Sequence, residues 1–279
     1  MEAKKGRREM KKFELTTEFI TNALGKKLFR IKALVEFGSV KAGELGGYAE
    51  KEENISQDGN AWVSGDARVY GNAWVSGDAR VYGDAWVHGN AKVFGNAEVY
   101  GDTEVSGDAL VYGNAKVSDN VRVSDNAKVF GNAEVYGDAK VSDNAKFFGN
   151  AEVYGDAKVF GNAWVSGDAK VSDNAKVFGN AEVYGDTEVS GDAKVSDNAE
   201  VSGDADYALV KGFGAEFRCT TFYRDKNKKI MVNCGCFHGD LEAFRKQVKE
   251  TRSGKIAKEY LMIADLMEYH FTSEGSNNE

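Results

Sequence analysis

The chain has no proline, only three cysteines and three histidines among 279 residues, and no long apolar run. No stretch approaches the roughly 20 apolar residues that a membrane span needs, so no membrane partner is expected. The opening MEAKKGRREMKK is basic, but no apolar stretch of about 7–15 residues follows it, which argues against a secretory signal. The cysteines (Cys219, Cys234 and Cys236) are odd in number and leave most of the chain thiol-free, so no disulfide framework is expected. Together these absences describe a soluble, cytoplasmic protein.

What is abundant is glycine, 32 residues of it, beside 42% hydrophobic residues. A flexible glycine-rich linker would be poorer in valine and aromatics, so here glycine punctuates structure. Charge is unevenly spread. Between Gly59 and Asp206, 24 acids face 12 bases, a net of −12, leaving 20 acids against 24 bases elsewhere. An acidic body with a basic N-terminal tail disfavours nucleic acid as a partner of the body.

From Gly59 the chain repeats [G/D]-[N/D]-A-x-V-x with a period of six. Ala recurs at 61, 67, 73 and onward to 205, replaced only by Thr103, Val121 and Thr187, and 24 complete hexads run to Ser202 without an insertion. On an extended strand the Ala and Val of A-x-V face one way and the residue between them faces the other. Asn, Asp and Gly supply the unusual backbone angles of a corner. Two inward residues are too little core for a flat sheet, so the hexads coil and stack, and inward Ala and Val fill a narrow interior with no room for a ligand.

Three hexads per turn would stack residues 18 apart. The column Asn72, Asn90, Asp108, Asn126, Asn144, Asn162, Asn180, Asn198 is Asn at seven of eight positions. The column Asp66, Asp84, Asp102, Asn120, Asp138, Asp156, Asn174, Asp192 is Asp at six of eight. Period 18 therefore carries information beyond period 6.

These residues resemble the hexapeptide-repeat left-handed β-helix superfamily. The resemblance implies an all-β solenoid, a left-handed parallel β-helix with three hexads per turn, so that 24 hexads make about eight turns. The segment GELGGYAEKEENIS is similar to the opening of YdcK-like hexapeptide-repeat proteins of phages, prophages and bacteria. The run RCTTFYRDKNKKIMVNCGCFHGDLEAFRKQVKET is similar to a C-terminal module of phage-encoded proteins. The expected organisation is a basic disordered tail at 1–12, an N-terminal cap at 13–46, the β-helix at 47–206, a C-terminal α+β module at 207–271 and a tail at 272–279. In the cap, Phe29, Ile31, Ala33 and Val35 alternate as on a strand. In the module, a hairpin around Asp225–Lys228 precedes two helices: one capped by Asp240 with Leu241, Phe244 and Val248 on a face, another carrying Ile256, Tyr260, Ile263 and Met267.

Many members of the superfamily are acyl-CoA transferases, in which a His general base works in a cleft between trimer subunits under a protruding loop. Here no insertion supplies that loop. The only His among the hexads, His88, stands where Ser, Tyr or Phe normally does, with no orienting carboxylate evident. A three-histidine zinc site is disfavoured because His88, His238 and His270 are scattered. If Arg224 pairs with Lys229, Cys219 falls opposite Cys234, and Cys236 and His238 follow on the same face. These four are weak zinc candidates, because alternate residues on a flat strand lie nearly 7 Å apart. Buried small thiols are the expected reading, with no metal and no cofactor.

Two outward columns qualify as binding surfaces. Arg122, Lys140, Lys158, Lys176 and Lys194 form a possible anion ladder, with an Asp column beside it to neutralise it. Phe94, Tyr112, Phe130 and Phe148 form an aromatic stripe. With Arg218, Thr220 and Tyr223 of the C-terminal module, the stripe is the expected partner-binding surface. The resulting expectation is a non-catalytic solenoid scaffold of phage or prophage origin that binds a protein of phage or host, with homo-oligomer formation, including a trimer, left open. The alternatives are a trimeric hexapeptide acyl-CoA transferase and an acidic DNA mimic or host-defence inhibitor.

Overall fold

A computed structural model describes residues 11–214 and 217–272, with the side chains of Asp204 and Arg218 left aside. Most of the two expected tails lies outside the described residues. The chain divides between Asn120 and Val121 into two compact units. Both are built from the same coil.

Each hexad strand is two residues long and pairs in parallel with the strand 18 residues on. In the first unit the ladders are Trp62↔Arg80↔Glu98↔Lys116, Arg68↔Trp86↔Glu104 and Trp74↔Lys92↔Leu110. In the second they are Arg122↔Lys140↔Lys158↔Lys176↔Lys194, Lys128↔Lys146↔Trp164↔Glu182↔Glu200 and Glu134↔Glu152↔Lys170↔Glu188. The fold is a β-solenoid of three hexads per turn, the period the Asn and Asp columns carry. An irregular coil precedes the hexads, so the solenoid has one turn more than the hexads alone make.

The local reason lies at the corner. The first hexad position has positive φ throughout, for example +72° at Gly83, where an added Cβ would come within 2.9 Å of the Gly101 nitrogen in the next coil. Glycine avoids both the left-handed strain and the clash. Five corners instead carry Asp at φ between 56° and 63°: Asp119, Asp125, Asp143, Asp173 and Asp197. There the side chain offers compensation, since the Asp143 and Asp173 carboxylates accept from the Gly161 and Gly191 nitrogens at 2.9 and 3.0 Å. Inward, the Ala and Val columns are almost wholly excluded from solvent, and Phe147 takes a Val position equally buried. Where Thr103 and Thr187 replace Ala, their buried hydroxyls donate to the Tyr100 and Tyr184 carbonyls of the preceding corner, so neither is left unpaired.

In the first unit the coils are preceded by β1 (Phe13–Thr21), β2 (Lys27–Ala33) and β3 (Leu45–Ala49). β1 and β2 are antiparallel, β2 and β3 likewise, and β3 continues in parallel onto Arg68–Val69. The cap is thus a hairpin plus a docking strand, and β2 is the strand that the alternation suggests. Leu28, Ile31 and Ala33 are buried, whereas Phe29 sits against half-exposed Phe19 with ring centres 5.9 Å apart. Lys12 does not belong to a disordered tail: it is buried, and its ammonium donates to the Gly59 and Ala61 carbonyls at 3.3 and 2.9 Å.

In the second unit the last coil is followed by a four-stranded antiparallel sheet in the order Tyr207–Phe213, Arg218–Arg224, Ile230–Cys234, Phe237–Asp240. Helices α1 (Leu241–Thr251) and α2 (Gly254–Thr272) follow. Asp240 caps α1 as expected, accepting from the Ala243 nitrogen at 2.8 Å. One face of the sheet, with Phe222 and Val232, packs on Phe244, Val248, Tyr260, Ile263 and Met267 of the helices. The other face lies on the last coil, where Ala199 bridges to Asp225 and the Lys226 nitrogen donates to the Asn198 carbonyl at 3.0 Å. Among the described residues no helix is long and apolar enough to cross a membrane.

Candidate functional site

The described side chains singled out in the sequence now have a place. The hairpin register differs from the expected one by a residue: Arg224 pairs with Ile230, so Thr220, not Cys219, stands opposite Cys234. The cause is the loop. The Asp225 carboxylate accepts from the Asn227 and Lys229 nitrogens at 2.8 and 2.9 Å, and Lys228 takes a left-handed φ of 61°, which holds five residues in the turn. A one-residue slip sends side chains to opposite faces. Thr220 therefore donates to the Cys234 sulfur at 3.1 Å on the helix side, while Cys219 faces the other way, its thiol pushed up by burial. Cys236 is exposed in the tight turn before Phe237. The three thiols are dispersed, and His238 joins none of them.

His238 instead clasps the last coil. Its Nε2 lies 2.7 Å from the Asp197 carboxylate and 3.1 Å from the Tyr223 hydroxyl. Tyr223 is fully buried, 3.0 Å from the Ser196 Oγ and accepting from the Asn233 amide at 3.3 Å, and burial pushes its phenol up to about 12. Although Ser, His and Asp meet here, no relay forms: Ser196 bonds Asp197 and Tyr223, and His238 spends one nitrogen on both its partners. The cluster ties sheet to coil. Thr220 and Tyr223, expected on a binding surface, are therefore interior groups. The Arg218 side chain lies outside the described residues.

His88 has the carboxylate that the sequence did not reveal, with Nε2 3.0 Å from the Glu104 Oε1 and its ring stacked on Tyr70 at 4.8 Å. The same contact recurs without histidine. Tyr82 reaches Glu98, Tyr136 reaches Glu152 and Tyr184 reaches Glu200, each 16 residues on. In the first two, burial beside the acid pushes the phenol up to about 12. Pairing a corner ring with a Glu of the next coil is thus a property of the repeat, and His88 occupies a tyrosine slot.

The aromatic residues of the proposed stripe stack in pairs, Phe94 on Tyr112 at 4.8 Å in the first unit and Phe130 on Phe148 at 5.1 Å in the second. Equivalent stacks stand on other corners: Tyr82 on Tyr100, Tyr136 on Tyr154 and Phe160 on Phe178. All are half-buried by their neighbours, so the stripe is one of several equivalent stacks. The five cations Arg122, Lys140, Lys158, Lys176 and Lys194 do line one strand ladder. Of the neighbouring acids, Asp192 pairs with Lys211 at 2.8 Å. In the first unit an open cleft of 640 Å³ between the Gly38–Val40 loop and the first coil is lined by Trp62, Asp78 and Arg80, with Asn60 donating to Asp78 at 2.8 Å.

The surface that sequence reasoning missed is on α2. Tyr260, Ile263 and Met267 are buried as expected, but Met262, Leu266 and Tyr269 form a second apolar series and are 61%, 57% and 71% exposed. Spaced i, i+4 and i+7, they share one outward stripe. The signal was in the sequence: the apolar series of this helix is too wide for one buried face. Beside the stripe, Arg245 of α1 bonds Glu242, Asp265 and Glu268 at 2.8, 2.9 and 2.6 Å.

The chain is similar to known proteins through its repeat. A family profile described as YdcK Beta solenoid repeat matches residues 61–77 and 73–89. No curated protein matches the chain.

Proposed function

We propose that the protein is a non-catalytic β-solenoid scaffold that recognises a protein partner through its C-terminal module. The observation that carries this reading is the outward stripe of α2, where three large apolar side chains stand in solvent on a helix whose opposite face is fully packed. Exposed apolar groups aligned at helical spacing are the usual anchor of a helix-face interface. The coils support the same reading, since their interiors are filled by the chain itself and their corners by self-stacked rings. A phage or prophage origin draws its support from the flanking segments, and it makes a virion component or a host protein the partner.

The test is affinity capture with the full chain and with the double variant M262E/L266E. The native chain should retain one stoichiometric protein that the variant loses. Identical capture by both, or turnover of acyl-CoA by the native chain, would overturn the reading.

A further inference from the structure

The cleft of the first unit combines a fixed wall with polar groups that nothing engages. Its loop is held in place: Phe37 and Val40 exchange backbone hydrogen bonds at 3.1 and 2.9 Å. Gly38 takes a left-handed φ of +52° there, where an added Cβ would come within 3.3 Å of Asn60. At 640 Å³ the cleft has the size of a small-molecule site. Trp62 forms part of its wall and is only 5% exposed, but among the described residues its indole nitrogen has no hydrogen-bond acceptor. A buried N–H without an acceptor is costly, and a ligand oxygen supplies one. Arg80 pairs with Trp62 along the strand ladder, is exposed at the same cleft and forms no ion pair among the described residues. The acids beside it are already engaged. Asp78 accepts from the Asn60 backbone nitrogen and side-chain amide at 3.1 and 2.8 Å, and Glu44 accepts from the Lys41 nitrogen at 3.1 Å.

We propose that this cleft binds a small polyhydroxylated monocarboxylate, a sugar acid in chemical class. The Arg80 guanidinium takes the carboxylate, whose two oxygens match its planar fork. The Trp62 N–H and the hydroxyls of Ser39 and Ser64, which line the same wall, donate to ligand oxygens. The carboxylate oxygens of Asp78 and Glu44 have lone pairs left to accept from ligand hydroxyls. The one unpaired cation sets the ligand's charge, because a phosphate dianion would bring two negative charges to a single guanidinium flanked by two acids. The polar wall sets the hydroxyls, because an aliphatic acid would cover these donors and acceptors without pairing them. The site lies wholly in the first unit and is independent of the docking surface on α2.

The test follows the indole N–H signals of the isotope-labelled full chain by NMR during titration with D-gluconate. Replacing the exposed Trp74, Trp86 and Trp164 by Phe one at a time identifies their signals, and the signal that remains is that of Trp62. The Trp62 signal should move saturably, with a Kd in the millimolar range, while the other three stay in place. Sorbitol, which replaces the carboxylate by a hydroxymethyl group, and hexanoate, which lacks the hydroxyls, should each bind at least about tenfold more weakly. Arg80→Gln should weaken gluconate by at least the same factor and leave the Trp74 and Trp164 signals where they were, as an intact fold requires. No saturable shift at Trp62, equal binding of sorbitol or hexanoate, tighter binding of inorganic phosphate, or gluconate binding unchanged in Arg80→Gln would overturn the proposal.

Discussion

The two ends of the repeat present opposite problems. In each hexad three N–H groups donate to carbonyls of the following coil, as Asn60, Trp62 and Ser64 do to Gly77, Ala79 and Val81 at 2.8, 3.0 and 2.9 Å. The first coil is therefore left with surplus carbonyls and the last with surplus N–H groups. The N-terminal cap answers with donors. Lys12 reaches the Gly59 and Ala61 carbonyls, Asn54 reaches Gly71 and Ala73 at 3.2 and 2.8 Å, and the Tyr48, Glu50 and Ser56 nitrogens reach Ala67, Val69 and Val75. The C-terminal cap answers mainly with acceptors: Thr221 Oγ1 takes the Lys194 nitrogen and Asp206 the Ser202 nitrogen, both at 3.0 Å. A buried backbone group left unpaired costs about 1–3 kcal/mol, so each cap must match its end in polarity as well as shape. Among the described residues of the C-terminal module, the large apolar side chains left exposed are Phe213, Phe217 and the α2 stripe of Met262, Leu266 and Tyr269.

Reversing polarity at one end should break this arrangement most sharply. Asn54→Asp keeps the shape but turns an acceptor, in place of the donor, towards two carbonyls, and it should cost about 3 kcal/mol or more. Amide exchange, resolved coil by coil, should show the loss in the first unit. Lys12→Met removes a donor without adding an acceptor and should cost about 2–3 kcal/mol there. At the other end, Tyr223→Phe removes the hydroxyl joining Ser196, Asn233 and His238, for about 1–2 kcal/mol in the second unit. Protection lost equally in both units by any of these would contradict the separate roles of the caps.

Lys12 also sharpens the comparison through pH. Burial pushes its ammonium down to about 8, against the pull of Asp58 and Asp78, from an ordinary value of 10.5. Between these values the unfolded chain binds the extra proton, so protection of the first unit should rise as pH climbs from 8 towards 10.5. The raised phenols of Tyr82, Tyr136 and Tyr223 act in the opposite sense but only above pH 10, where their unfolded forms ionise. A slope below pH 10 that survives in Lys12→Met would assign it elsewhere. The smallest effect is expected from His88→Tyr, within about 0.5 kcal/mol, because the repeat already places tyrosine in that corner.

Regularity decided what the sequence disclosed. A hexad that recurs without insertion states its own strand, corner and stacking period, and Asp240 announces α1 through a local hydrogen bond. The features that escaped are those set by groups distant in sequence. Lys12 reads as part of a basic tail until the carbonyls of Gly59 and Ala61 are brought to it. The cysteine face depended on a hairpin register that the Asp225 side chain shifts by one residue, and one residue changes every facing. Glu104 meets His88 only because the coil returns 16 residues later, although Tyr82 and Glu98 carry the same spacing. On α2, two apolar series share one helix, and only packing shows which of them faces out.

The most direct test of the account places a photo-reactive side chain at position 262 of the full chain, with the same group at exposed Lys211 as control, and reads the cross-linked product by mass spectrometry. The account predicts one dominant protein adduct at 262, a second copy or another chain, and none at 211. No adduct at 262, or the same adducts at both positions, would contradict a docking surface on α2.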